Sequence, residues 1–129
     1  MAQVKVFARR AHLDRVRDAL SDTIHRVLQE TLGLPADKRF HRFIALEGPD
    51  IRHPADRTES YTILEIVMFA GRTDETKRAC LTALMQAVPA AVSMPVEDLE
   101  IVILEAPRAH WGIRGKVGDE LTLPYTLET

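Results

Sequence analysis

The sequence predicts an α/β fold built from two tandem β-α-β units, which together form a four-stranded sheet with two helices on one face. Three observations predict it. An alternating run near the N-terminus gives way to a long amphipathic stretch and then to an apolar run at residues 43–47, and this order returns about 60 residues later. The punctuation repeats as well, with Leu34-Pro35 answered by Met94-Pro95. Finally, FIALEGP at 43–49 and IVILEAP at 101–107 close the two copies. A chain of 129 residues that is 46% hydrophobic suffices for one compact domain and is too short for two ordinary ones. A single domain is therefore expected over 1–129, with units at about 2–49 and 60–107 and a tail from 108 to 129.

Each element has its own warrant. Val4, Val6 and Ala8 alternate with Lys5 and Phe7, which reads as a strand. Asp14 is expected to open a helix in which Val16, Ala19, Leu20, Thr23, Ile24, Val27, Leu28 and Thr31 form one apolar stripe. Gly33 and Pro35 stop that helix. Phe43–Glu47 is the second strand, and the polar stretch 49–60 is the linker. Tyr61–Phe69 (YTILEIVMF) is apolar enough to be buried on both faces. Thr73-Asp74-Glu75 starts the second helix, whose stripe is Thr76, Ala79, Cys80, Leu84, Ala87 and Val88. Pro89 lacks an N–H and clashes with the preceding turn, so it is expected to end or kink this helix early. The last strand, from Ile101, matches the one from Phe43 at a shift of 58. The tail, with Gly112, Gly115, Gly118 and Pro124, is expected to carry one short strand at Glu120–Leu123 and to reach a neighbour. Crossover length between strands favours parallel pairing within each unit. The same element order belongs to the ferredoxin-like fold, and only strand arrangement separates the two.

Composition narrows the function. Lys and Arg number 17 against 19 Asp and Glu, so the basic excess of a general nucleic-acid binder is missing. Aromatics at 5% leave few platforms for stacking bases. No stretch approaches the roughly 20 apolar residues of a membrane span, and the first residues carry no apolar signal core. One cysteine leaves no internal disulfide. A cytoplasmic protein without membrane or nucleic-acid partners is expected. His12, His25, His41, His53 and His110 show neither i,i+4 pairing nor a His-Glu-x-x-His spacing, so no metal or other cofactor is expected. Cys80 lies on the apolar stripe and reads as packing, and His25 reads as a helix-flank residue.

Three segments on this duplicated frame carry a resemblance: Gly33 to Phe40 (GLPADKRF), Phe69 to Asp74 with its Gly-Arg-Thr-Asp turn, and Trp111 to Gly115 (WGIRG). With them the chain resembles the tautomerase superfamily, in particular its members related to malonate semialdehyde decarboxylase and 4-oxalocrotonate tautomerase. The resemblance runs over nearly the whole chain. It implies a homotrimer and a tautomerase (isomerase) activity on a small enol or 2-oxo carboxylate. There an N-terminal proline amine shuttles the proton and arginines bind the carboxylate. The physical logic is that desolvation lowers an amine's pKa, that a base works best near ambient pH, and that a guanidinium matches a carboxylate.

Carried over residue by residue, the proline position is Ala2. Once Met1 is removed, Ala2 would present a primary amine of pKa about 7.7–8.0, able to act as a weak base or to form a Schiff base. While acylated, it is an amide and no base. His12 and His41 are the other candidate bases, with His12 standing where the first turn's arginine is usual and Arg72 keeping that arginine in the second. The aspartate of decarboxylase-like members falls on Lys38, beside Asp37. Arg39, Arg72, Trp111 and Arg114 are the candidate substrate-binding residues. Their plainer readings are an Arg39–Asp37 pair, a solvent-facing Arg72, a packed Trp111, and a loop charge at Arg114 between Gly112 and Gly115. Arg52, Arg57 and Arg108 either line the site for an anion or sit in solvated loops. Three functions stay open: a tautomerase with a non-proline base, an inactive small-carboxylate binder, and a ferredoxin-like interaction module.

Overall fold

The protein is described by a computed structural model covering residues 1–124. Six elements make the frame: β1 (Ala2–Arg9), α1 (Arg10–Leu32), β2 (His41–Leu46), β3 (Thr62–Phe69), α2 (Asp74–Val92) and β4 (Leu99–Ala106). The four strands form one sheet in the order β2-β1-β3-β4. Within each unit the strands are parallel neighbours, and β1 and β3 join the units antiparallel. No strand separates β1 from β2, so the split arrangement of a ferredoxin-like fold, and the interaction module argued from it, is excluded.

Period-two patterning decides which face is covered. Val4, Val6 and Ala8 are fully buried, as are Leu64 and Ile66 opposite them. This layer meets Leu13, Leu20, Ile24 and Leu28 of α1 and Cys80, Leu84 and Val88 of α2, so both helices lie on one face. Burying each such aliphatic side chain contributes about 1.5–3 kcal/mol. An exposed helix pair such as Arg26–Glu30 contributes about 0.3–0.5 kcal/mol, so the apolar layer holds the fold. On the other face Phe7, Ile63 and Val67 are half-buried, while Val102 and Leu104 of β4 are exposed. β3 is thus buried on one face, not on both as its composition led one to expect.

Helix boundaries differ from the expected ones for local reasons. α1 begins at Arg10, four residues before Asp14, straight out of β1 and without a side-chain cap. Burial of His12 and Leu13 replaces the cap as the stabilising term. Gly33 ends the helix at φ 67 with its N–H on the Gln29 carbonyl. Thr73 caps α2 through the Thr76 N–H. Pro89 neither ends nor breaks α2, which runs to Val92. Only one turn follows the proline, and its carbonyl accepts the Ser93 and Met94 N–H groups. His25 is buried, not a flank residue, and bonds the Ala36 carbonyl at 2.9 Å.

The repeat is more regular than the letters indicate. Val6 pairs with Phe43 and Ile66 with Ile103, a shift of 60 on both strands. The apparent shift of 58 survives in the sequence because a two-residue slip keeps every side chain on its face. Gly33 and Ser93, both left-handed, and the 3-10 turns Gly48–Asp50 and Arg108–His110 obey the same shift. Beyond β4 the expected strand at Glu120–Leu123 is absent. A two-residue hairpin, β5 (Gly112–Ile113) with β6 (Lys116–Val117), stands before a 3-10 turn at Gly118–Glu120 instead. The last part of the expected tail, 125–129, lies outside the described residues. Among the described residues no helix is long and apolar enough to cross a membrane.

Candidate active site

The start of β1 is enclosed by the ends of the second unit. Met1 and Ala2 are both buried, and the Met1 carbonyl accepts the Phe69 N–H at 3.2 Å. Three residues past Phe69, Arg72 sits in the turn before α2, after Gly71 at φ 133. Arg72 is only 7% exposed, which overturns its reading as a solvent-facing turn residue. Burial draws its guanidinium pKa down, opposed by Cys80 and Glu105 nearby. Cys80 is fully buried, and burial pushes its thiol up.

Beside the N-terminus lies a small cavity of about 50 Å³. Leu34 and Pro35, just past the C-cap of α1, give it an apolar wall, and Leu123 and Pro124 of the tail give another. Lys38 and Arg114 bring positive charge to the lining. Lys38 is delivered by a turn whose N–H closes on the Pro35 carbonyl at 3.0 Å. Arg114 occupies the β5–β6 turn at φ 52. The α-amine of Met1 faces Arg72, Arg108 and Arg114. Its pKa falls from an ordinary 8.0 to about 5, through burial first and then through those three charges in that order. An uncharged amine among guanidiniums is both a base and a neighbour to anion-binding groups.

Trp111 packs behind this site. Its ring stands edge-on to Phe69 at 5.0 Å, and its Nε1 donates to the Ala106 carbonyl at 3.2 Å. The remaining candidates lie elsewhere. His12 is buried beyond the far end of β1, on the order of 20 Å of strand from Ala2 at about 3.3 Å per residue. Its Nε2 has no hydrogen-bond partner among the described residues. Burial and then Arg15 lower its pKa, against the pull of Asp98. His41 opens β2 beside Val4 and bonds the Ser21 hydroxyl through Nδ1 at 2.8 Å. Its ring meets His25 edge-on at 6.2 Å. Burial, then Arg39 and His25, bring its pKa to about 4. Arg39 pairs with Asp22 at 2.6 Å and Ser21 at 3.3 Å, not with Asp37. Arg57 is tied to Asp56 and Glu100. Among the described residues no three His, Cys, Asp or Glu side chains gather at metal-binding spacing.

The profile of a family described as tautomerase enzyme matches residues 38–114 of this sequence. The chain belongs to the tautomerase family. A probable tautomerase of Ralstonia nicotianae is 38% identical over 53 residues, covering 41% of this chain and 76% of that protein. A 2-hydroxymuconate tautomerase of Pseudomonas putida is 35% identical over 57 residues, 44% of this chain and 90% of the relative. Such relatives are thus about half as long, the size of one β-α-β unit. Among solved structures, a malonate semialdehyde decarboxylase inhibited by 3-bromopropiolate is 28% identical, with a TM-score of 0.81 over 95% of this chain and 99% of that one. A native fused 4-OT, at 22% identity, shares the fold with a TM-score of 0.81 over 92% and 98%.

The family fold therefore brings Ala2, Arg72 and Arg114 to one end of the sheet, with Trp111 behind them. It leaves His12 at the other end and puts Arg39 and His41 in a cluster of their own. Two features were missed in the sequence: Ser21 and Asp22 as the partners of that cluster, and the apolar wall from Leu123 and Pro124. The first pair sits on a helix position that periodicity marks only as stripe or flank. The wall lies in an irregular tail with no periodicity to read.

Proposed function

We propose that this chain catalyses keto–enol isomerisation of a small enol or 2-oxo carboxylate, with the α-amine of Ala2, freed by removal of Met1, as its proton carrier. One observation carries the reading: the chain's amino end lies where Arg72, Arg108 and Arg114 converge, in surroundings that hold an amine uncharged near neutral pH. With Met1 present, its side chain lines the adjoining cavity of about 50 Å³. Loss of Met1 vacates a side chain's worth of space there. It also draws the amine back along β1 by one residue, about 3.8 Å. The uncharged amine takes the enol O–H proton, and the ammonium so formed delivers a proton to carbon. One O–H bond breaks as one C–H bond forms, and the amine is regenerated. Arg72 and Arg114 hold the carboxylate, and Trp111 backs the pocket. His12 lies past the far end of β1 and His41 is engaged with Ser21 and His25, which favours the amine over either ring as base.

A homotrimer belongs to the same reading. The open sheet face carries Phe7, Ile44, Ile63 and Leu104, and fused 4-OT proteins of similar fold are described as trimers. A ligand-binding protein without turnover is the second reading, favoured by the amide that Met1 makes of the Ala2 nitrogen. The deciding experiment is ketonisation of phenylenolpyruvate, followed by ultraviolet absorbance on protein whose N-terminus is known from intact mass. The expected result is a rate well above buffer that Arg72→Ala abolishes. A rate equal to buffer from a trimer that begins at Ala2 would overturn the enzymatic reading.

A further inference from the structure

Arg108 is held by contacts that no carboxylate-binding role requires. It follows β4 in the 3-10 turn Arg108–His110. Its Nε donates to the Gly118 carbonyl at 3.0 Å, and an Nη donates to the Leu121 carbonyl. Its guanidinium stacks over Phe69 at 5.6 Å, on the ring that Trp111 meets edge-on. At Gly118 the tail passes so close that a Cβ would stand 2.5 Å from the Arg108 carbonyl oxygen and 3.0 Å from the Trp111 Cβ. The Gly118 N–H closes the same junction on the Trp111 carbonyl at 2.7 Å. Just beyond the second anchored carbonyl, Leu123 and Pro124 form the cavity wall facing Leu34 and Pro35.

We propose that Arg108 is a positioning residue that pins the 118–124 segment as the outer wall of the cavity, and so sets the largest carboxylate the site accepts. The inference rests on the cavity being the substrate site. Two parallel donors from one planar group fix a chain direction as a single lysine cannot. The anchored segment carries the apolar residues, so its position decides how much room lies beyond the carboxylate. Arg108 also adds charge near the amine, and the two roles separate on substitution. Arg108→Lys keeps the charge and loses the double anchor. Arg108→Gln loses the charge.

The test uses the full chain with its N-terminus fixed by mass. Three readouts are taken: amide hydrogen exchange of 118–124, the α-amine pKa by ¹⁵N NMR, and binding of pyruvate and phenylpyruvate followed by fluorescence of the only tryptophan, Trp111. Arg108→Lys should speed exchange of 118–124 by about ten- to a hundredfold, the scale of one charge-assisted hydrogen bond. It should weaken pyruvate relative to phenylpyruvate and leave the amine pKa in place. Arg108→Gln should raise that pKa as well. Gly118→Ala, with the guanidinium intact, should reproduce the exchange and affinity changes alone. Unchanged exchange in Arg108→Lys would overturn the anchor. Faster exchange with an unchanged ratio of the two affinities would overturn the size limit. If the wild-type protein binds neither acid, the proposed function fails and takes the size limit with it, while the exchange result still decides the anchor.

Discussion

On protein that retains Met1, lowering the pH should protonate the α-amine only near pH 5. The structure sets this figure: the amine falls from 8.0 to about 5, with burial the largest cause and Arg72, Arg108 and Arg114 following. At pH 7 a group of pKa 5 is about 99% uncharged, whereas an exposed terminal amine of pKa 8 is about 10% uncharged. Reactivity toward an amine-selective acylating reagent, corrected for the reagent's own pH dependence, should therefore plateau above pH 6 and fall with a midpoint near 5. In urea the midpoint should return to about 8. Because burial leads the causes, Arg72→Gln should raise the midpoint without restoring 8. The stability consequence has a fixed sign. Between pH 5 and 8 the unfolded chain holds a proton that the folded chain has released, so this group destabilises the fold progressively as pH falls through that window, with no further loss below 5. A folded-state midpoint near 8, with the circular dichroism intact, would refute the placement of the amine among the guanidiniums.

Other perturbations test the frame. Leu84→Ala, in the fully buried layer between helices and sheet, should cost about 2–5 kcal/mol in urea unfolding. Gly33→Ala meets no atom within 4 Å of the new Cβ but keeps φ at +67, so it should lower stability by about 1–2 kcal/mol from backbone strain alone. Thr73→Ala removes the cap on the Thr76 N–H and should cost about 1 kcal/mol. His41, held near pKa 4 by burial, Arg39 and His25, should make stability fall as pH drops from 6.5 to 4, since only the unfolded ring is protonated there. Thermal melts of His41→Gln should be flatter across that range.

Periodicity in the sequence sufficed for the frame because each strand and helix buries one face, and burial leaves a pattern of period 2 or 3.6. Val4, Val6 and Ala8 on β1 and Leu20, Ile24, Val27 and Leu28 on α1 are where the alternation and the stripe put them. What failed was set by neighbours distant in sequence. The α1 start depends on His12 and Leu13 finding a core, and the tolerance of Pro89 depends on how little helix follows it. The two-residue error in the repeat arose because letters report the face and ladders report the register. For the site, the Gly-Arg-Thr-Asp turn made Arg72 legible as a residue but not as a buried one. His12 looked equivalent to it, and by the shift of 60 it is. The duplicated frame, however, puts equivalent residues at opposite ends of the antiparallel β1–β3 pair.

That geometry decides which end can use an amine. The shift of 60 carries Met1 to Tyr61, Arg72 to His12 and Lys38 to Asp98. At this second end Asp98 is fully buried and accepts the Thr58 N–H at 2.9 Å together with the Thr58 hydroxyl. The Tyr61 hydroxyl donates to Glu100, and burial and that bond push its pKa to about 12. Arg9 pairs with Glu59 and Arg57 with Asp56 and Glu100. At this end linker residues thus satisfy the nearby charges, Thr58 for Asp98, Glu59 for Arg9 and Asp56 for Arg57. A chain contains one α-amine, and the nitrogen of Tyr61 is a peptide amide donating to the Thr58 carbonyl at 3.1 Å. Guanidiniums gathered there would have no α-amine to discharge and, left unpaired, would repel one another. Replacing Lys38 by Asp98 and Arg72 by His12 removes that cost, so fusion of two units leaves the proposed amine chemistry one place in each chain.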